Sequence, residues 1–545
     1  MKASLLVIAG LALSVFGRRP IVCGEDAGVC QAVYRGLRND KLKIEKYVGI
    51  PYAQPPVGKL RLQPPKPLAH MAAPPTVDAS KPTSKQCYSL ANLNSATASE
   101  DCLTLDLVMP VGTFDHLLPV YVFLHGGDFN GGDKSDVDGS ELVSYAASIN
   151  QPFIFISVNY RLSFLGFPGG SEAGKSNAYN LGLKDQRLAL QWVKDNIKGF
   201  GGNKDHVVLG GQASGADTAT YQMLANGGNN EYLFRGMLLE SGAATGATPI
   251  PLPTYPHWQM NYDSLASKTN CSSASSFSCL QNVPIEKLTS AMYAVFTEAY
   301  SIPHHVYAVV SDGVFMQDYP SVAMAQSKFA SLPTLTGQTT DELTDRIPTF
   351  ANFTTDEGIL GFAQVFLNYV DPAVLAEEVG MYKSSDYQDI GPPGSGTQWS
   401  RVVDIDNDLQ AFCPVYQAAL QISEKAAVWK YRFNARHSTS TTPAYLKINQ
   451  GSDLPFLFGP TPLNPTTQED ILAESYKRYI ISFINHLDPN KAVNSTMAPL
   501  SQWDNFRNSS QNQLLFDLAQ INMEYDPVNR ERCLWVEEHH KDFLR

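Results

Sequence analysis

The segment His206-Val-Val-Leu-Gly-Gly-Gln-Ala-Ser-Gly-Ala216 has the frame of a nucleophile elbow without the nucleophile. In G-x-S-x-G, small residues two before and two after the serine let the backbone turn sharply and hold the hydroxyl above a sheet. Here the frame is Gly211-Gln212-Ala213-Ser214-Gly215. A methyl group, which cannot attack a carbonyl, stands at the centre. Ser214 comes one residue late. A shifted turn would need small residues at 212 and 216; Ala216 suits it and Gln212 does not. The turn would also aim Ser214 away from the direction of Ala213, which leaves Ser214 as a small turn residue whose N–H can serve an oxyanion hole.

Other residues near such a turn could carry charge or protons. His125-Gly126-Gly127-Asp128-Phe129 follows an apolar run, and Asp341-Glu342 follows Pro333-Thr-Leu-Thr-Gly337. Asp128 reads as a turn residue whose carboxylate accepts from the N–H of Asn130 or Gly131; the alternative is a polar role of its own in the site. His125 and His437 read as packed or exposed histidines rather than bases. The doublets His304-His305 and His539-His540 lack metal-ligand spacing, so no metal and no cofactor is expected.

These residues need a sheet beneath them and helices beside it. Val207 to Leu209, Pro119 to Leu124 and Phe153 to Arg161 read as buried strands, with Ala427 to Phe433 as a later one. Leu103, Leu105 and Leu107 alternate as a strand does. Residues 216 to 224, 180 to 193 and 476 to 487 read as helices. In the second of these, Leu188 and Trp192, and Ala189, Val193 and Ile197, fall on shared faces at i, i+4 spacing. Strands alternating with helices indicate a mostly parallel α/β sheet. The stretch from about 250 to 330 is more helical.

The chain has 545 residues, 43% of them apolar, and a net charge of −12. That balance argues against nucleic acid and against anionic membrane surfaces as partners. Lys2, the apolar run Leu5 to Phe16 and Val15-Phe-Gly17 read as a signal peptide over residues 1–17. No later stretch is long and apolar enough to span a bilayer. Residues 18–545 show no repeat and no clear linker, and read as one catalytic-type domain. Eight cysteines suit a secreted or lumenal protein. Sequons at Asn270, Asn352, Asn494 and Asn508 are candidate glycosylation sites. The pairing of Cys23 and Cys30 is open.

The ordered set Gly49-Ile-Pro, Pro55-Pro-Val-Gly, Arg61, Ser99-Glu-Asp-Cys-Leu, His125-Gly-Gly, Asn159-Tyr-Arg161, Asp185-Gln-Arg-Leu-Ala-Leu-Gln-Trp-Val, Glu240-Ser-Gly-Ala243 and Gly451-Ser-Asp-Leu-Pro-Phe-Leu-Phe-Gly459 resembles the type-B carboxylesterase/lipase family. That family includes cholinesterases, fungal lipases and several non-enzymatic adhesion proteins. The resemblance implies an α/β-hydrolase fold, with helices flanking the sheet and a helical region over a deep gorge. It also implies a Ser-Glu-His triad in that chain order. Its positions fall on Ala213, Glu342 and Gln450, so the acid is kept while nucleophile and base are lost. Gln450 has no useful basicity, but its amide can donate to Glu342 as an imidazole would. The oxyanion hole would draw on Gly126, Gly127, position 128 and Ser214; family members carry a third glycine where this chain has Asp128, whose carboxylate would repel an oxyanion. Disulfides Cys87–Cys102, Cys271–Cys279 and Cys413–Cys533 and an ion pair Arg61–Glu100 are implied as well.

Three functions follow as expectations. The first is a secreted pseudo-esterase that binds a small apolar or ester-like molecule, or a protein partner. The second is a non-hydrolytic enzyme for cyclisation, isomerisation or elimination, with Glu342 and Asp128 as acid and base. The third is residual ester hydrolysis through Ser214.

Overall fold

A computed structural model describes residues 21–23, 30–69, 76–81, 84–93, 95–243, 255–272, 274–298, 306–387, 391–460, 467–491 and 499–545. The expected signal peptide, His304-His305 and the Asn494 sequon lie outside them. Eleven strands form the main sheet: β1 Leu37–Asn39, β2 Ile44–Pro51, β3 Thr104–Pro110, β4 Leu118–Leu124, β5 Ile154–Val158, β6 Gly202–Gln212, β7 Gly236–Glu240, β8 Thr334–Thr339, β9 Val428–Asn434, β10 Asn512–Asp517 and β11 Ile521–Tyr525. Their spatial order is β11-β10-β9-β8-β7-β6-β4-β5-β3-β2-β1. The run from β5 through β4 to β10 is parallel, and antiparallel strands close both edges.

The central strands are apolar throughout because both faces are covered. Along β4, Leu118, Val120, Val122 and Leu124 join one core while Tyr121 and Phe123 join the other. Strand β6 divides the same way, with Val207 and Leu209 against Val208. The first core is closed by helices α1 Leu181–Asn196 and α2 Ser214–Gly228, through Leu190, Trp192, Val193, Ala219 and Met223. Across the sheet, α7 Gln468–His486 covers the second core with Tyr476, Tyr479, Ile480 and Phe483. A separate helical layer comprises α3 Asp356–Phe366, α4 Pro372–Gly380 and α5 Trp399–Asn407. It packs around Ile347, Phe353, Tyr382 and Trp399, and a π-helical segment at Asp408–Phe412 leads from it into α6 Cys413–Ser423.

Disulfides Cys87–Cys102, Cys271–Cys279 and Cys413–Cys533 are formed. Arg61 meets Glu100 through two 2.6 Å bonds and also donates to the carbonyls of Gln281 and Val283. It therefore ties the N-terminal loop to the helical middle of the chain. Backbone register sets Cys23 opposite Cys30 in a small three-stranded sheet. Asn270, Asn352 and Asn508 are exposed.

Some boundaries differ from the sequence reading. Helix α7 begins at Gln468, two turns before the apolar spacing becomes evident, because Thr467 caps it by accepting from the Asp470 N–H at 3.1 Å. Strand β5 spans only Ile154–Val158. Beyond it Asn159 turns its side chain to the Lys134 N–H and the Lys85 carbonyl, which ends the ladder.

Candidate active site

Ala213 is the single residue between the end of β6 and the start of α2. Its φ is 53° and its ψ −129°, a conformation that costs a non-glycine residue about 1–3 kcal/mol. The turn is held from both sides. The Ala213 N–H donates to the Glu240 carbonyl at 2.9 Å, and its carbonyl accepts from Ala216 and Asp217. A Cβ on Gly215 would lie 2.1 Å from the Leu124 carbonyl oxygen, and one on Gly211 would lie 2.4 Å from the same atom. Strand β4 is thus pressed against the elbow, and only glycines fit at these two positions. The backbone has the shape of a nucleophile elbow and presents a methyl group.

The loop after β4 faces this turn. The Asp128 N–H, where an oxyanion donor is expected, donates instead to the Ser214 hydroxyl at 2.9 Å. Ser214 is buried at the first position of α2. Among the described residues no His, Lys, Asp or Glu side chain is hydrogen-bonded to its hydroxyl. The expected role of Asp128 as a simple turn residue needs correction. Its carboxylate reaches Arg346 at 3.2 Å, while the Asn130 N–H goes to the Gly127 carbonyl. A charged side chain thus bridges the loop to the chain beyond β8.

Glu342 is fully buried just past β8. One oxygen accepts from the Ser241 hydroxyl at 2.7 Å and from the Thr339 N–H at 2.6 Å; the other accepts no hydrogen bond. Burial raises its pKa to about 7, against the pull of those bonds and of the nearby Gln450 amide. Gln450 lies where the base is expected: its N–H donates to the Glu342 carbonyl at 2.9 Å. Its side-chain amide, however, donates to the Ser241 carbonyl at 3.4 Å. The Ser241 hydroxyl thus holds the Glu342 carboxylate at 2.7 Å, and the Gln450 amide also favours its ionised form. Residues 240–242 join the three positions. Glu240 holds the Ala213 N–H, Ser241 meets both Glu342 and Gln450, and a Cβ on Gly242 would lie 2.5 Å from the Ala213 carbonyl oxygen.

Comparison with known proteins agrees with this geometry. A family model described as the carboxylesterase family matches residues 27–534. The chain belongs to the carboxylesterase family. It is 30% identical over 508 residues to a protein named secreted lipase 1 from Botryotinia fuckeliana, covering 86% of this chain and 85% of that protein. A secreted triacylglycerol lipase from Gibberella zeae is 30% identical over 488 residues, with 83% and 80% covered. The crystal structure of Aspergillus niger EstA superposes with a TM-score of 0.81 at 23% identity, covering 97% of this chain and 99% of that one. The α/β-hydrolase fold follows.

Around this carboxylesterase elbow lie acidic groups that the sequence did not flag. Asp217, one turn into α2, accepts from the Ala243 N–H at 2.9 Å. Burial, with the Asp128 charge adding to it, pushes its pKa up to about 8. Glu240 is fully buried with neither carboxylate oxygen hydrogen-bonded, and its pKa is raised by burial and by Asp453. His125 stacks on Tyr160 at 4.4 Å and points Nδ1 to the Gly126 carbonyl; burial lowers its pKa. His437 meets Thr439 and the Phe456 ring, and His539 stacks on Trp535. Among the described residues no three His, Cys, Asp or Glu are arranged to hold a metal ion, and no helix is long and apolar enough to cross a membrane.

Proposed function

We propose that this carboxylesterase-family protein is a secreted, glycosylated pseudo-esterase, which holds a small apolar ligand without cleaving it. The observation that carries the proposal is the methyl group of Ala213 on an elbow whose backbone is otherwise complete. Loss of the serine or the histidine of such a triad costs on the order of 10⁶ in turnover, and loss of both costs little more. A compromised oxyanion hole costs about a further 10²–10³. Here Ala213 and Gln450 replace both groups, and the Asp128 N–H is already engaged by Ser214. Secretion is supported by relatives named as secreted lipases and by the N-terminal sequence.

The test is fluorophosphonate labelling of the purified protein, read by peptide mass beside an active lipase of the family. No adduct is expected. An adduct on the Ser214 peptide would overturn the proposal and favour hydrolysis through that residue.

One observation favours a second reading, a non-hydrolytic enzyme. Glu342 combines a pKa near 7 with an unbonded oxygen, which suits a general acid or base. Asp128 is less suited, since its carboxylate is engaged by Arg346 at 3.2 Å. If a turnover of this kind is found, Glu342→Gln should abolish it while Asp128→Asn leaves most of it.

A further inference from the structure

The helical layer encloses a cavity of about 90 Å³ that none of the elbow residues lines. Its wall is apolar on the α3 side, with Ile359, Phe362, Ala363 and Phe366. The Phe362 and Phe366 rings lie 4.5 Å apart. Glu378 from α4, Asp406 from α5 and Arg346 also line it. Glu378 is 3% exposed, and its Oε1 accepts no hydrogen bond. A buried carboxylate oxygen facing a cavity without a donor is costly unless something fills the site.

The surrounding charges are unbalanced in one direction. Asp128, Asp217, Asp345 and Asp406 surround Arg346, and Glu378 and Asp406 share Arg545. Five carboxyls therefore stand against two guanidinium groups. Arg346 is spent on Asp128, and Arg545 turns Nη1 to the Leu409 carbonyl. Asp406 has the Gln410 amide. What the cavity leaves without an N–H donor is the Oε1 atom of Glu378.

We infer that this cavity binds a small aliphatic amine, with the alkyl body against Phe362, Phe366 and Ile359 and the ammonium group on Glu378 and Asp406. The inference rests on the proposed function only in taking the ligand to be held rather than cleaved. A cavity of about 150 Å³ accommodates benzene, so 90 Å³ fits a chain of one or two carbons with its ammonium group. An alcohol of the same length would fill the space and leave the charge uncorrected. Burial pushes Glu378 to about 8 and Asp406 to about 6, outweighing the pull of Arg545 on both and of Arg346 on Asp406.

The experiment is a ligand-observed NMR titration with ethylammonium chloride and with ethanol, at ionic strength matched with KCl. Binding of the amine at least tenfold tighter than the alcohol is expected. Glu378→Gln should remove that preference and leave the alcohol unchanged. Ala363→Phe fills the cavity and should remove both. Equal affinity for amine and alcohol, or amine binding that survives both substitutions, overturns the inference. A fluorophosphonate adduct on Ser214 would instead overturn the non-hydrolytic reading and leave the amine preference as measured.

Discussion

Glu342 offers a direct measure of what a retained acid costs once its partners are gone. Its carboxyl titrates near 4.5 in the unfolded chain and near 7 in the fold. Between those values the folded protein keeps a proton that the unfolded chain releases, so its stability falls as pH rises. Below 4.5 both states are protonated and there is no penalty; above 7 the penalty is complete. At about 1.4 kcal/mol per pH unit, the full effect is on the order of 3 kcal/mol. Glu342→Gln has nothing to titrate. Its amide oxygen keeps the Ser241 and Thr339 bonds. Its NH₂ group, at the position of the unbonded oxygen, adds a cost of about 1–3 kcal/mol, which does not vary with pH. The difference in stability between variant and parent should therefore move by on the order of 3 kcal/mol in the variant's favour from pH 4.5 to pH 8. Equilibrium urea unfolding followed by tryptophan fluorescence reads it. Asp217 and Glu378 also lose stability with rising pH, but they are common to both proteins and cancel. A difference that stays constant across this range would refute the burial argument.

Rebuilding the triad tests the elbow itself. Ala213→Ser with Gln450→His should restore fluorophosphonate labelling that neither single variant shows, and adding Ser214→Ala should raise the labelling rate by about 10²-fold by freeing the Asp128 N–H. Gly215→Ala should destabilise the protein by about 3 kcal/mol or more in thermal or urea unfolding, since its Cβ would lie 2.1 Å from the Leu124 carbonyl oxygen and the tightly packed β4 cannot retreat. Replacing Cys413 and Cys533 by serine opens a loop spanning 120 residues; a loss of about 5 kcal/mol in urea unfolding is expected, and a loss below about 1 kcal/mol would mean that α6 and the helix Arg530–Glu538 hold each other without it.

The sheet could be read from the sequence because its signals are local. Pro119 to Leu124 and Val207 to Leu209 are apolar on both faces, as covered parallel strands must be. The elbow was equally legible, since its glycine frame at 211 and 215 is contiguous in sequence, although the atom that demands both glycines is the distant Leu124 carbonyl oxygen. The choice between a turn role and a polar role for Asp128 stayed open because its partner, Arg346, lies 218 positions away, and nothing near either residue announces the other. Ser241 was visible within a family block, yet its hydroxyl could be assigned to Glu342 only once β7 and β8 were paired. The N-terminal turns of α7 were hidden because Glu469 and Asp470 interrupt the apolar spacing that marks the rest of the helix.

The contact between the Leu124 carbonyl and the two glycines makes the direction of side chain 213 a property of the sheet rather than of any chemistry performed there. Whatever residue occupies that position is displayed along one fixed vector over the β4 and β6 strand ends. The chain therefore offers an attachment point of known orientation: a thiol at Ala213→Cys would hold a probe or a synthetic catalytic group at the same angle each time, without a linker to restrain it.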